Sequence, residues 1–484
     1  SCPGQEGPGE ASCPGQEGPG QEGPGQEGAG QASCPGQEGP GQEGNSAWEG
    51  RPLNTTSQPE TVDPSSVDGL IRHIHRVDAV GFGASTIYDG TTLTVDAEAA
   101  AALVTHPALA SVSLSWASPG QSVRIVKVLD AVEPRTKGPG GGGIFPGFLG
   151  PPVPQGRGDT HVLAGVAVLA AGYLPRAQEA VVEMTGPVAA LSPLGATHNL
   201  VVEFTPVEDA RWEDVDLALR RGVLSLAAHL AEAALDVEPQ EVEHLAPPHV
   251  GDADGLPRIV AIVNLQTQGT FKDVFVYGTS FAGNLPTLLD PAELDDGAVV
   301  SGQFGHPSLK NPTYLHQNNP VVAALRARDG VDLRFAGVVI CPEPVDQDSK
   351  AAMAAHAARL CARAGIDGAV ITKEGGGNAD ADTALKMDEL EDHGIAAVGL
   401  FAEMPGADGT GPSLVVPPSR ATAMISTGNY DDVLVLPAVD LALGGTTVDL
   451  IDRPATDALE LPTAVIYAAL SPLGWGRLRC EDAA

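Results

Sequence analysis

Basic residues are scarce in this chain: 27 Lys and Arg stand against 62 Asp and Glu, a formal net charge of −35 at pH 7. Phosphate backbones are bound through Lys and Arg, so a nucleic-acid partner is excluded. An anionic membrane surface is disfavoured on the same ground. The acids are spread along the sequence, as in a protein kept soluble by its charge. Aromatic residues make up only 4%, so the cores must be built from Ala, Val, Leu and Ile. Of six cysteines, Cys2, Cys13 and Cys34 sit in a repetitive tail, and Cys341, Cys361 and Cys480 complete the set. No CxxC and no Cys/His spacing fits a zinc site, and no metal is expected. So few cysteines exclude a disulfide framework and point to a reducing compartment. The longest apolar run, Val162–Tyr173, falls short of the roughly 20 residues a membrane helix needs. The N-terminus carries no basic-then-apolar signal pattern. The expected location is the cytoplasm.

The 484 residues, 43% of them apolar, suffice for about two or three domains with sizeable cores. Residues 1–49 are low in complexity: PGQEG recurs, with SCPGQEG beginning at Ser1, Ser12 and Ser33. Their glycines do not keep the collagen register. Nothing there can bury a core against the entropy of ordering the chain, so a disordered tail is expected. Residues 50–250 read as a β-rich domain. Runs at Val112–Leu114, Val123–Val128, His161–Ala170 and Leu200–Phe204 predict strands, and Glu133–Gly147, rich in Gly and Pro, predicts a loop between two of them. One long helix is predicted from Asp214 to Leu235, because Val215, Leu219, Val223, Leu226 and Leu230 recur at helical spacing. Ala246–Arg258 marks a boundary. Residues 251–484 then alternate short apolar runs with amphipathic helices. The runs are Ile259–Val263, Phe335–Cys341, Gly368–Thr372, Ala396–Phe401, Ala421–Ser426 and Val433–Leu436. The helices are Pro320–Arg328, Gln347–Ala364 and Asp380–His393. This is the pattern of an α/β domain with a largely parallel sheet.

In such sheets ligands bind in the crevice beyond the strand C-termini. That rule selects Cys341–Glu343, Lys373–Asp382, Phe401–Glu403 and Ser426–Tyr430. Lys373–Asp382 (KEGGGNADAD) leaves a strand and enters a helix. Its glycines let the backbone approach a ligand, and the helix N-terminus offers free N–H groups to an anion, best a small carboxylate. Alternatively it is a tight turn with Asp380 or Asp382 as the helix cap. Gln266 and Thr267 stand at another strand end, where they either bind a polar ligand or satisfy the loop backbone. Lys310–Pro320 is dense in hydrogen-bonding side chains, and His316 can exchange a proton near neutral pH. His73 and His75 share a strand face without a third ligand and are expected at the surface. Cys341 and Cys361 are expected to be buried and inert.

These motifs follow one another in the order of a known family. They are Glu133–Lys137, Gly142–Gly147, Thr160–Leu163, Gln178-Glu179, Met184–Pro187, Leu265–Gly269, Val276–Gly278, Val300–Gly302, Lys310–Tyr314, His316, Asn318–Pro320, Glu374–Asn378, Thr427–Asn429 and Leu473–Gly476. Over Ser111–Leu478 the chain resembles the proprotein subunit of component B of the glycine/sarcosine/betaine reductases. The resemblance implies an oxidoreductase subunit. It would work with a selenoprotein-B-like partner subunit and a thioredoxin-type reductant on a small amine or carboxylate. It further implies self-cleavage at a cysteine, leaving a pyruvoyl group whose ketone condenses with an amine substrate. The catalytic candidates are Lys310, Tyr314 and His316, with His316 as proton donor. The substrate-binding candidates are Asn311, Asn318, Asn319, Gln266, Glu374, Asn378 and Asn429.

The sequence departs from the family at the reactive position. The family cysteine falls on Phe304, and a second on Ser308. Self-cleavage needs a side-chain nucleophile that attacks the preceding carbonyl and is then eliminated; a benzyl group can do neither. Ser308 is the only nearby alternative, and it follows Pro307, whose ring constrains an acyl shift. No pyruvoyl group, and no other cofactor, is expected. Two readings stay open. One is an uncleaved subunit for reductive C–N cleavage of a small amino acid or betaine-like substrate by a thiol or selenol partner. The other is a non-catalytic subunit of that complex that binds a small carboxylate or acts as scaffold.

Overall fold

The computed structural model describes residues 69–175, 177–248, 255–267, 274–302, 305–421 and 423–470. The repetitive tail, Phe304 and the Leu473–Gly476 motif lie outside the described residues. Two four-stranded sheets carry the first half. One runs in the order Glu241–Leu245, Leu70–Arg76, Gly158–Ala164, Arg135–Lys137, the other Leu109–Ala117, His198–Pro206, Val166–Ala171, Val128–Val132. The run expected as one strand over His161–Ala170 feeds both sheets. Gly165, at φ +89°, breaks it in a conformation few side chains adopt. Residues before the break pair in parallel with Leu70–Arg76, and those after it pair in parallel with His198–Pro206. Val123–Val128 also divides, at Lys127, whose φ of 54° is left-handed.

Glu133–Gly147 is not all loop. Arg135–Lys137 is a strand antiparallel to Gly158–Ala164. Its charges conceal this in the sequence, but the Arg135 side chain is buried and bonded to Glu133 and Asn318 at 2.6 and 2.7 Å. The ladder satisfies backbone that would otherwise be buried unpaired. The two histidines expected at the surface are a further correction. His75 is fully buried and His73 half-buried, and both stack on His161, with ring centroids 5.2 and 4.6 Å away. The parallel register sets His73 opposite His161, which the sequence alone does not reveal. The long helix spans Trp212–Glu232, and all five residues of the expected stripe are buried. They pack with Leu163, Val168 and Leu200. Glu213 and Asp214 in the first turn suit the positive end of its dipole.

The second half is organised around six strands in the order Thr287–Leu289, Arg334–Glu343, Arg258–Gln266, Gly368–Thr372, Ala396–Glu403, Ala423–Asn429. All are parallel except Thr287–Leu289, an antiparallel edge. Val433–Leu436 stands apart from this sheet and pairs with Leu459–Pro462. Val260 and Ile262 face one core cluster, with helices Gln347–Arg363 and Asn378–Asp392. Ala261, Val263 and Leu265 face another, with helix Pro320–Arg328. Both faces are covered, so these strands read as unbroken apolar runs. Arg334–Glu343 lies on one side of Arg258–Gln266, and Gly368–Thr372 lies on the other. Such a reversal opens a ligand crevice at the strand C-termini. Leu441–Leu443 pairs in parallel with Val123–Ile125, bringing the C-terminal stretch onto the first half. Among the described residues no helix is long and apolar enough to cross a membrane. Cys341 and Cys361 are buried, and burial pushes both thiols up to about 12, so neither is reactive.

Candidate functional site

The strand ends and the segment 301–316 meet at Glu374, just past strand Gly368–Thr372. Its carboxylate is fully buried. Oε2 accepts the N–H of Gln266 at 3.0 Å, and Oε1 accepts the N–H of Asn311 at 3.1 Å. His316 Nε2 lies 3.8 Å from that Oε1, too far for a hydrogen bond. Burial pushes the Glu374 carboxyl up to about 7. Burial and then the charge of Lys310 push His316 down to about 3, so its imidazole is neutral at pH 7. Lys310 Nζ donates to the Leu129 carbonyl at 2.5 Å and lies 5.6 Å from the centre of the Tyr467 ring. Burial draws Lys310 down to about 8. Asp130 anchors the segment, accepting from Thr313 N–H at 3.0 Å and Thr313 Oγ1 at 2.7 Å. That hydroxyl in turn accepts the Ser301 N–H at 2.9 Å.

Buried side-chain atoms without a hydrogen-bond partner gather here. They are Ser301 Oγ, Ser308 Oγ, Asn311 Oδ1 and His316 Nε2, with Asn264 Oδ1 and both carboxyl oxygens of Glu343 at the neighbouring strand ends. Each such atom costs about 1–3 kcal/mol. Native interiors leave few such atoms unpaired, and here several fall within one segment and at the neighbouring strand ends. Burial, then the charge of Asp382, pushes Glu343 well above the usual carboxylate range. Among the described residues no group of three or more His, Cys, Asp or Glu is placed to hold a metal ion.

The structure brings Lys310, Asn311, His316, Gln266 and Glu374 together. The other predicted residues are engaged elsewhere. Tyr314 is buried in an apolar cluster with Leu315 and Tyr467. Asn318 joins Arg135 and Glu133, donating to Glu133 Oε2 at 3.0 Å. Asn319 caps helix Pro320–Arg328, its Oδ1 accepting from Val322 N–H at 3.1 Å. Asn378 reaches away from the site to the Val345 carbonyl at 3.4 Å. Asn429 closes a turn with Asp431 and Asp432. Neither Asp380 nor Asp382 caps the helix, which begins from Gly377. Asp380 pairs with Lys373, and Asp382 with Lys350 and Lys386. Sequence reasoning missed Asp130 and Asn264 as site residues, and it reached Glu343 only as the end of the segment Cys341–Glu343. The strand-end rule reaches Glu343, but nothing local marks Asp130, which lies 183 residues from Thr313.

Pro307 also borders an open cleft of about 450 Å³. Lys127, Tyr173, Gln178, Glu179, Pro307 and Tyr430 line it. At its rim His306 is left-handed at φ 50°. The His306 N–H donates to Gln178 Oε1 at 2.8 Å, and its Nδ1 is 3.2 Å from the Tyr430 hydroxyl. On its wall Lys127 Nζ meets Asp449 Oδ1 at 2.9 Å, the Thr447 carbonyl at 2.9 Å and Glu179 Oε2 at 3.4 Å.

The family described as glycine/sarcosine/betaine reductase component B subunits matches residues 69–459. The chain is 35% identical over 416 residues to the glycine reductase complex component B subunits alpha and beta of Acetoanaerobium sticklandii, covering 83% of this chain and 97% of that one. The protein of the same name from Peptoclostridium acidaminophilum is 37% identical over 385 residues, 77% of this chain and 89% of that one. The sarcosine reductase complex component B subunit alpha of that organism is 36% identical over 338 residues, 69% of this chain and 79% of its own. No solved structure matches the chain significantly.

Proposed function

This chain belongs to the glycine/sarcosine/betaine reductase component B family, and we propose that it is a pyruvoyl-free, substrate-binding subunit of such a complex. Its partners would be a selenoprotein-B-like subunit and a thioredoxin-type reductant, in the cytoplasm. The observation that carries this reading is the gathering of unpaired buried polar atoms between Ser301 and His316 and at the strand ends. The substrate would be a small amino acid or betaine-like carboxylate. The partner's thiolate or selenolate would attack the carbon next to the carboxylate. The C–N bond breaks, its electron pair leaves with nitrogen as a neutral amine, and the carboxymethyl group passes to the partner's sulfur or selenium. This chain's part is to hold the substrate and exclude water. Lys310, Asn311, His316 and Glu374 supply the polar contacts.

A pyruvoyl group does not fit the residues present. Phe304 carries no nucleophile. Ser308 Oγ is buried without a hydrogen-bond partner, so no base activates it. Its target would be the Pro307 carbonyl, which accepts the Ala468 N–H at 2.9 Å, while the Ser308 carbonyl accepts from Leu470 at 2.7 Å. These bonds hold the peptide in a short helical turn. The loss of a reactive residue whose flanks are kept also favours a second reading, a scaffold that leaves all chemistry to its partner. Turnover separates the two. With partner subunit and a dithiol, amine release should fall at least about tenfold in His316→Ala and Asn311→Ala. Unchanged release in both variants would favour the scaffold.

A further inference from the structure

Another open cleft, of about 640 Å³, lies between the paired strands Leu70–Arg76 and Glu241–Leu245 and the helix Pro320–Arg328. One face of the helix lines it. Asn319, Ala323 and Arg326 recur there at helical spacing, so they stand above one another. The Arg326 side chain is 21% exposed, and among the described residues its one partner is Asp295, with Oδ2 2.8 Å from Nη2. That carboxylate is shared. Its Oδ1 takes Arg72 Nη1 at 2.8 Å and lies 3.5 Å from Arg135 Nη1. Arg72 and Arg135 each have a further acid, Glu243 and Glu133. The other N–H groups of Arg326 have no acceptor among the described residues. Asn319 is only 6% exposed. Its Oδ1 is spent on the helix cap, accepting the Val322 N–H at 3.1 Å, and its Nδ2 has no partner among the described residues. Side chains of a helix lean towards its N-terminus, which carries Arg326 towards Asn319 across the small Ala323.

We propose that this cleft binds a small oxyanion, a carboxylate or a phosphate, in the fork of Arg326, with Asn319 Nδ2 as the second donor. The groups left over here are donors, and donors call for an acceptor. A guanidinium meets the edge of a carboxylate or phosphate with two parallel N–H bonds, a fit that other small ligands lack. A cation gains little, because the acids bordering the cleft, Asp295 and Glu243, already hold Arg72 and Arg326. Those two acids and two arginines cancel, so the cleft does not share the sign of a chain whose net charge is −35. The field of the whole chain still opposes an anion, so affinity comes from the direct bonds. The site is separate from the chamber at Glu374, and it stands or falls independently of the substrate-binding reading. His316 borders both: it lines the cleft, and its Nε2 lies 3.8 Å from Glu374 Oε1.

Titration of the purified full chain with sodium acetate and with inorganic phosphate, followed by proton and phosphorus NMR of the ions at matched ionic strength, tests this. At least one ion should bind saturably, with a Kd on the order of 1 mM. Tighter acetate assigns the site to an organic acid, and tighter phosphate assigns it to phosphate. Arg326→Gln should weaken the binding at least about tenfold, the loss expected for a hydrogen-bonded charge. Asn319→Asp keeps a side chain that caps the helix but sets a carboxylate where the donor stood, and it should weaken binding about as much. Asn311→Ala, in the Glu374 chamber, should leave it within about twofold. No saturable binding of either ion, or binding unchanged in Arg326→Gln, would overturn the proposal. So would a loss in Asn311→Ala in place of Arg326→Gln, which would move the ion to the Glu374 chamber. Should Arg326→Gln fail to fold, Asn319→Asp decides by the same criterion. Amine release tests the substrate-binding reading on its own, so the failure of one leaves the other standing.

Discussion

Ser308 is the residue on which the chemistry divides. If its hydroxyl is idle, as its missing hydrogen-bond partner indicates, Ser308→Ala removes a buried polar atom that gains nothing. Urea unfolding should then show a change within about 1 kcal/mol, or a slight gain in stability. A loss of several kcal/mol would mean that the hydroxyl is engaged. At this scale the sequence was legible where residue types are dense. Lys310, Asn311 and His316 lie in one polar segment, and Glu374 and Gln266 follow from the strand-end rule. The asparagines were harder to place. Asn is equally a residue of caps and turns, and Asn319 and Asn429 serve those uses here. Asp130 was invisible because its importance depends on Thr313, far along the chain.

Among the elements, helices with clear stripes and strands buried on both faces were read nearly to their ends. Pro320–Arg328 and Gly368–Thr372 match their expected bounds. The breaks at Lys127 and Gly165 were missed because apolarity continues across them. Two family glycines gain a reason. A Cβ on Gly147 would lie 2.0 Å from the Tyr277 carbonyl oxygen, and one on Gly278 would lie 2.5 Å from the Gly147 carbonyl carbon; both residues have positive φ. Gly147→Ala or Gly278→Ala should therefore each lose more than about 2 kcal/mol, and thermal melting at wild-type temperature would contradict this. The paired strands also carry the stacked histidines. Burial, then the neighbouring imidazoles, push His75 down to about 4, and burial lowers His161 as well. A lowered base stabilises the fold above its ordinary pKa of 6.5 and loses that contribution as pH falls towards about 4. The urea midpoint should drop between those values, and less steeply in His75→Leu. An equally steep drop in the variant would assign the acid sensitivity to other groups.

Across the whole molecule, family membership was legible in the order of many weak motifs. The cleft was not. It joins Lys127, Gln178-Glu179, Pro307, Tyr430 and the stretch near Asp449, which the pairing of Leu441–Leu443 with Val123–Ile125 helps bring onto one another. No local pattern announces a surface assembled from such distant parts. The same scale bears the claim that the chain works uncleaved. Intact mass spectrometry of the purified protein, with and without a hydrazide reagent, tests it most directly. The prediction is one species at the mass of the entire polypeptide, unlabelled. Two fragments meeting near residue 304 or 308, the C-terminal one carrying the hydrazide, would contradict it.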